Sequence, residues 1–385
     1  MSQIRRVHMK AVGMVVEYNP FHNGHRYHLQ QAKKISGADV TVAVMSGNFT
    51  QRGEPTIVDK WSRARAAVMN GVDLVIELPV FYAVQPAHRF AGGALSLLNA
   101  LGVDSIVFGS EHPEWDFARL VKAEEAFNQE SFNKYNATYA TQFNQQLKEQ
   151  TGVTLIDPND ILAFAYTKAK INQGYHFELL PIKRQGSNYH DQQIKGKIAS
   201  ASAIRQAISE KGDYWQAVPQ VMGDILATIK SIPLWTELYP LLRNQLIQAP
   251  VSTLQSTYLM AEGLEYRMKE AAQRSLDFNS FMKFTKTKRY TYAHLLRVCL
   301  YTILQITQEE VEKHSKHPYL HVLAFNKQGR EYLHEVKKEL ALPLITKVDQ
   351  EMRDQLLNLD YRAGKLYQLF TPVEQDLKHP PIIIN

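Results

Sequence analysis

Short apolar runs alternate with amphipathic stretches through the first half of the chain. The apolar runs are AVGMVV (11–16), VTVAVM (40–45), DLVIELP (73–79), DSIVFGS (104–110) and FELLPIK (177–183). Between them, apolar residues recur at helical spacing over 24–36, 59–70, 87–100 and 159–172, and a further helix with serines at its start and a glycine at its end is expected over 200–212. Strands that alternate with helices are typical of βαβ units, so this half predicts a parallel sheet with helices on both faces.

The pattern changes after about residue 216. Leu, Ala, Gln and charged residues then recur mainly at helical spacing, with one candidate late strand, HVLAFN (321–326), and an ambiguous run, PLITK (343–347). A chain of 385 residues is long enough for two domains. We therefore predict an N-terminal extension (1–8), an α/β domain (9–215) and a mainly helical domain (216–385).

The composition narrows the class of protein. Hydrophobic residues make up 45% and charged residues 21% of the chain, as in folded globular proteins. Cys299 is the only cysteine, which excludes a disulfide framework and predicts a reducing, cytoplasmic compartment. No run approaches the ~20 apolar residues of a membrane span, so we expect no membrane association. No obligate protein partner is predicted.

The basic residues are concentrated in the predicted helical domain. The net charge is +6, and residues 266–297 hold eight Lys or Arg against two acids. Aromatic residues at 284, 290 and 292 lie among them, and these residue types bind phosphates and stack on bases. A helical bundle with a basic surface and an aromatic core would give the same pattern. The RNA-contact candidates are Lys283, Lys286, Lys288, Arg289 and Arg297.

The first predicted βα turn holds the candidate chemistry, EYNPFHNGHRYH (17–28). Ligands of open parallel sheets bind beyond the carboxyl ends of the strands, and a helix that begins here points its positive end at the turn. Neither a Gly-x-Gly-x-x-Gly nor a P-loop pattern is present. His22 and His25 can instead donate hydrogen bonds to phosphoryl oxygens. A zinc site is disfavoured because the third histidine, His28, converges poorly on the other two and no Cys completes a ligand set. For His28, a place in the substrate wall and a packing role are equally expected.

His-x-Gly-His after a first strand resembles the HIGH-type nucleotidyltransferase superfamily. Longer segments resemble the bacterial tRNA(Met) cytidine acetate ligase family: VGMVVEYNPFHNGHRYHL (12–29), SGNFTQRGEPTIVDKWSRARAA (46–67), FGSE (108–111), PNDILA (158–163), IKRQGSNYHD (182–191), KTKRYTYAHLLR (286–297) and VLAFNKQGR (322–330). The resemblance implies a Rossmann-like HIGH-superfamily domain over 9–215. It also implies that acetate and ATP form acetyl-adenylate and pyrophosphate, and that the acetyl group passes to N4 of the wobble cytidine of elongator tRNA(Met).

The resemblance also implies roles for particular residues. His22 and His25 would be catalytic, and the helical domain would bind the tRNA. Mg²⁺ should accompany ATP, although its ligands cannot be read from the sequence. Arg184 also suits bidentate phosphate contact, whereas Ser200 and Arg205 lie on a helix start of the kind that faces a triphosphate. The implied ATP site comprises Val15, Val16, Glu17, Tyr18, Asn19, Pro20, Phe21, His22, Asn23, Gly24, His25, His28, Gly109, Asn159, Arg184, Ser200 and Arg205.

Two further segments and two other functions complete the expectations. The run at 46–53 is expected to line the acceptor or RNA side of the site, with an ordinary loop as the alternative. The charges of Lys60, Arg63 and Arg65 are expected to form a solvated helix face. The other functions are a nucleotidyltransferase for a phosphorylated small molecule and a non-catalytic RNA-binding protein.

Overall fold

The computed structural model describes residues 9–128, 138–184, 194 and 196–385. The predicted extension (1–8) and most of the IKRQGSNYHD segment beyond 184 therefore lie outside the described residues. The described strands are β1 (Ala11–Val16), β2 (Val40–Ser46), β3 (Leu74–Leu78), β4 (Ser105–Ser110), β5 (Glu178–Lys183), β6 (Leu320–Phe325), β7 (Leu344–Ile345) and β8 (Ile382–Ile383).

The strands form one eight-stranded sheet in the order β5-β4-β1-β2-β3-β6-β7, with β8 paired to β6. The first five strands are parallel, as predicted, and β1 pairs with β2 in register from Ala11 opposite Val40. The predicted late strand is confirmed as β6, but it runs antiparallel to β3, so the sheet is mixed. Every residue of β6 is buried, which fits a continuous apolar run inside a covered sheet.

The helices predicted between the first strands are confirmed to within about two residues, and the helix predicted over 200–212 ends three residues earlier, at Ser209. The described helices are α1 (Asn23–Ser36), α2 (Lys60–Met69), α3 (Val80–Ala83), α4 (Ala87–Ala100), α5 (Phe117–Glu124), α6 (Tyr139–Thr151), α7 (Pro158–Gln173), α8 (Ala201–Ser209), α9 (Gln220–Ala227), α10 (Trp235–Gln248), α11 (Val251–Gln255), α12 (Leu264–Arg274), α13 (Phe278–Thr285), α14 (Tyr292–Leu304), α15 (Gln308–Ser315), α16 (Lys327–Val336), α17 (Gln350–Asp354) and α18 (Asn358–Tyr367). No helix among the described residues is both long and apolar enough to cross a membrane.

Apolar side chains form three clusters. One cluster packs α4, α7 and α16 against one face of the sheet, and a second packs α1, α2 and α9 against the other face. The third is the core of the helical half, built from α10, α12, α13, α14 and α18. The helical half also supplies β6, β7 and β8, so the two halves share the sheet, and the boundary at 216 stays a prediction.

The expectation of a solvated charged face on α2 is wrong for two of its three residues. Lys60 is 1% exposed and Arg63 is fully buried, whereas Arg65 is exposed. Lys60 Nζ lies 2.8 Å from both carboxylate oxygens of Glu77 and 2.6 Å from Asp376 Oδ1. The C-terminal segment that carries Asp376 covers this side of α2, which removes the helix face from water. Arg63 meanwhile donates to the carbonyl groups of residues 17, 46, 47 and 58.

Candidate active site

The first βα turn is held by a reciprocal cap at the start of α1. His22 is the N-cap residue, and its Nδ1 accepts the Gly24 N–H at 3.0 Å. His25 Nδ1 accepts the His22 N–H at 3.3 Å, and the two rings stack with centroids 3.8 Å apart. Because a neutral imidazole that accepts at Nδ1 carries its proton on Nε2, both rings are left with an Nε2–H donor.

Burial keeps these imidazoles neutral. Desolvation, with the Arg184 and Arg205 charges adding to it, lowers the pKa of His22 to about 3. Desolvation and the neighbouring histidines lower the pKa of His25 well below 6.5. The His28 pKa falls to about 4, chiefly through desolvation, while its Nε2–H donates to the Val107 carbonyl at 3.1 Å. At neutral pH the three rings are therefore uncharged.

A second helix N-terminus faces the first. Ser200 caps α8 by accepting the Ala203 N–H at 3.1 Å. Asn23 Nδ2 donates to the carbonyls of Lys197 and Gln216 at 2.8 and 2.9 Å, which joins the start of α1 to the segments before and after α8. Arg205 Nη1, one turn into α8, donates to the Asn19 carbonyl at 2.9 Å. Two helix N-termini and a guanidinium thus converge, an arrangement that suits an anion.

The ends of β4 and β5 form the opposite wall. Glu111 accepts Asn159 Nδ2 at 2.6 Å and lies 3.4 Å from Arg184 Nη1. A Cβ on Gly109 would lie 3.0 Å from Arg184 Cγ, so the space that Gly109 leaves is filled by this arginine. Asp160 Oδ1 stabilises this wall because it accepts hydrogen bonds from Ser110 Oγ at 2.6 Å and from two backbone N–H groups.

These elements enclose a cavity of about 320 Å³. Thirteen of the seventeen predicted ATP-site residues line it: Val15, Val16, Glu17, Asn19, His22, Gly24, His25, His28, Gly109, Asn159, Arg184, Ser200 and Arg205. The other four do not line it. Tyr18 and Phe21 are buried and pack against the His25 ring, Pro20 is buried between them, and the Asn23 amide is engaged as above. These four residues support the turn, and direct contact between them and ATP stays a prediction.

The β2–α2 loop (47–59) supplies lining residues that were not named individually from the sequence. Thr50, Gln51 and Arg52 line the cavity, as expected for the 46–53 run, and Glu54, just beyond that run, lines it as well. Lys183 and Tyr166 also line it without having been predicted, and Ser202, one of the serines expected at the start of the helix over 200–212, lines it too. Lys183 ends β5, and such strand-end positions are numerous and mostly carry no ligand, whereas Tyr166 lies inside α7 and gave no sequence signal.

The basic stretch divides into two environments. Lys283, Lys286 and Lys288 are exposed, and Arg289 forms an ion pair with Glu262, 3.1 Å between Nη2 and Oε1. Arg297 differs because it is only 8% exposed and its Nε donates to the Gln51 carbonyl at 2.8 Å. α14 packs Arg297 against the β2–α2 loop, which sets this residue apart from the exposed lysines, and RNA contact by Arg297 stays a prediction.

The zinc interpretation of the three histidines gains no support. Within the described ranges, two groups of His, Asp and Glu atoms converge closely enough for a metal ion, and neither includes His22, His25 or His28. The first group is Glu77, His321 and Asp376, into which Lys60 already places its ammonium. The second, behind the β4 wall, is His112, Asp157 and Asp160.

Comparison with known proteins agrees with this arrangement. The HIGH Nucleotidyl Transferase family model matches residues 9–379. A tRNA(Met) cytidine acetate ligase from Limosilactobacillus reuteri is 99% identical over 98% of this chain and all of the relative, and one from Limosilactobacillus fermentum is 61% identical over 97% of this chain and 99% of the relative. The chain belongs to the tRNA(Met) cytidine acetate ligase family.

Solved structures support the same membership. The crystal structure of Thermotoga maritima TmcAL (apo, form I) matches with a TM-score of 0.88 and 31% identity, covering 98% of this chain and 100% of that one. A second structure of that protein, bound with alpha-thio ATP, matches with a TM-score of 0.84 over the same shares of both chains. The predicted HIGH-type fold is thereby confirmed. In this member of the tRNA(Met) cytidine acetate ligase family, the His-x-Gly-His motif spans His22 to His25.

Proposed function

We propose that this chain activates acetate with ATP and then acetylates N4 of the wobble cytidine in elongator tRNA(Met). The first step gives acetyl-adenylate and pyrophosphate, and the second gives N4-acetylcytidine and AMP. The observation that carries the proposal is the pair of neutral imidazoles in one cavity with two helix N-termini and the guanidinium groups of Arg184 and Arg205.

Two kinds of group would act on ATP, neutral hydrogen-bond donors and positively charged guanidinium groups. Acetate is ionised at neutral pH, so its attack on the α-phosphate requires positioning and charge neutralisation but no general base. His22 and His25 would donate Nε2–H to phosphoryl oxygens without adding a full charge. Arg184 and Arg205 would supply positive charge, and the N–H groups at the starts of α1 and α8 would stabilise the departing pyrophosphate.

Magnesium has no ready protein site among the described residues near the cavity. Both oxygens of the Asp160 carboxylate already accept protein hydrogen bonds, including His112 Nδ1 at 2.6 Å. The Glu77 group holds the Lys60 ammonium in the position that a cation would take. Any Mg²⁺ would thus be held mainly by the ATP phosphates, and we assign no protein ligand to it.

The helical half would present the tRNA to the cavity. The exposed Lys283, Lys286 and Lys288 precede α14, and α14 touches the β2–α2 loop directly. A Cβ on Gly53 would lie 3.0 Å from the Arg297 nitrogen, and Trp235 Nε1 donates to the Gly53 carbonyl at 3.0 Å. A tRNA loop held on the basic surface would therefore lie next to the cavity wall. This arrangement supports the proposed division into a catalytic part (9–215) and a tRNA-binding part (216–385).

Two assays test the proposal. Acetate should stimulate ATP/pyrophosphate exchange by the purified protein without tRNA, and tRNA(Met) incubated with ATP and acetate should gain the mass of one acetyl group on the wobble cytidine. His22→Ala or His25→Ala should abolish both signals, while tRNA affinity measured by filter binding stays near that of the unaltered protein.

Failure in either assay points to a defined alternative. Exchange that needs a phosphorylated small molecule in place of acetate would identify a different nucleotidyltransferase. Tight tRNA binding without exchange or acetylation would identify a non-catalytic RNA-binding protein. Acetylation that survives both histidine substitutions would refute the catalytic assignment.

A further inference from the structure

Glu17 places a carboxyl group in the wall of the cavity. It follows β1 directly, and its Oε1 accepts the Gln51 N–H at 2.7 Å. No other hydrogen bond to this carboxyl group occurs among the described residues, and the side chain is partly exposed towards the cavity. One oxygen thus anchors the β2–α2 loop, and the other is available to a ligand.

A carboxylate is a poor partner for the triphosphate of ATP because both are negatively charged, so we move Glu17 from the implied ATP site to the acceptor side of the cavity. The phosphate-binding features lie at the starts of α1 and α8 and at the end of β5, whereas Glu17 contacts the β2–α2 loop, against which α14 packs. It therefore faces the side from which the proposed tRNA surface approaches. A carboxylate oxygen is the acceptor that matches the exocyclic N4–H of cytosine.

We propose that Glu17 binds the N4 amino group of the incoming cytidine and accepts its proton during acetyl transfer. The proposal rests on the proposed function above and concerns its second step. The N4 lone pair forms a bond to the acetyl carbonyl carbon, and the bond from that carbon to the phosphate oxygen breaks. The electron pair of the broken bond leaves with AMP, and one N4 proton passes to Glu17 Oε2.

The surroundings of Glu17 suit a base. Desolvation raises its pKa, while the Gln51 N–H and the Arg205 charge oppose the rise. Glu54 and Arg52 of the β2–α2 loop also act on it, as do Arg63 of α2, Arg297 of α14 and Tyr166 of α7. A carboxylate with a raised pKa is a stronger base than an ordinary one, and it works only at a pH where it has lost its proton.

Glu17→Gln tests the proposal because the amide oxygen can still accept the Gln51 N–H. We expect acetate-dependent ATP/pyrophosphate exchange to stay within a few-fold of the unaltered protein. Acetyl transfer from preformed acetyl-adenylate to tRNA, measured in a single turnover, should fall by about 100-fold, the range of general-base catalysis. The acid limb of its pH profile should disappear. Glu331→Gln, which removes an exposed carboxyl group on α16 outside the cavity, should keep that limb.

The outcomes separate this proposal from the function on which it rests. Absence of acetate-dependent exchange in the unaltered protein would overturn both. If Glu17→Gln lost ATP/pyrophosphate exchange and acetyl transfer to the same extent, the role proposed for Glu17 would be overturned and the proposed function would stand. If added Mg²⁺ then restored exchange in Glu17→Gln, the carboxylate would be assigned to the metal instead. Unchanged transfer, or an acid limb that survives in Glu17→Gln, would also overturn the role proposed for Glu17. A thermal melt of Glu17→Gln that matches the unaltered protein excludes misfolding as the cause of a loss.

Discussion

Gly24→Ala is expected to damage the site without damaging the fold. A Cβ at position 24 would lie 2.7 Å from His22 Cε1 and 2.9 Å from His22 Nδ1. Ordinary contact begins near 3.4 Å, so the His22 ring must move by about 0.7 Å or give up its bond to the Gly24 N–H. Misplacement of a catalytic group by about 1 Å can cost about 100-fold. We expect kcat/KM for acetate-dependent exchange to fall by about 10- to 100-fold.

Gly92→Ala is the matched control for this substitution. Gly92 lies inside α4, and a Cβ there would meet nothing within 4 Å. The exchange of Gly for Ala inside a helix stabilises it by roughly 0.5–1 kcal/mol. Gly92→Ala should therefore raise the free energy of unfolding in urea by about that amount and leave exchange unchanged. Full exchange activity in Gly24→Ala, or an equal loss in Gly92→Ala, would refute the role assigned to the His22 position.

Three further predictions concern buried charge, pH and RNA binding. Lys60→Met leaves the buried carboxyl groups of Glu77 and Asp376 unpaired and should lower the free energy of unfolding by about 3–5 kcal/mol in urea titrations. Desolvation raises the pKa of Glu77, but the Lys60 charge and the hydrogen bond from His321 outweigh it and hold this pKa at about 2, below its ordinary 4.5. The unaltered protein should therefore lose this stabilisation as pH falls from about 4.5 towards 2, and Lys60→Met should reduce that dependence. The His22 pKa of about 3 lies below its ordinary 6.5, so the unfolded chain takes up the proton first as pH falls, and the free energy of unfolding should decrease below about pH 6.5. His22→Gln should lessen this dependence of the free energy of unfolding on pH. The same dependence in both proteins would contradict a neutral His22. Lys288→Ala should weaken tRNA binding and reduce the salt slope by up to about 1. Lys337→Ala, at the C-cap of α16, should change neither, and equal effects would remove Lys288 from the contact surface.

Much of the fold was predictable because its signals are local. The apolar runs and helical periods of the first half located five parallel strands and the helices between them. The late run HVLAFN was recognised as a strand, but its direction and its place beside β3 were not, because a strand's neighbours depend on contacts between distant segments. The candidate site was predictable where the chain itself forms it, at the turn that leads into α1.

The electrostatic state of the site was not predictable in the same way. Spacing identified His22 and His25, yet their neutral form depends on burial beneath segments far along the chain. Arg297 was grouped with the basic residues at 283–289 because they belong to one basic stretch of the sequence. Its actual neighbour is Gln51, 246 residues away.

The sequence by itself therefore determined the elements, the class of sheet and the turn at which nucleotide chemistry is expected, since periodicity, capping residues and turn formers act over a few residues. The tertiary structure alone decided that Lys60 and Arg63 are buried, that Glu17 faces the cavity, and that the helical half completes the sheet. The physical reason is that burial and charge pairing depend on which distant segments meet. Lys60 and Asp376 lie 316 residues apart in the chain and 2.6 Å apart in the fold.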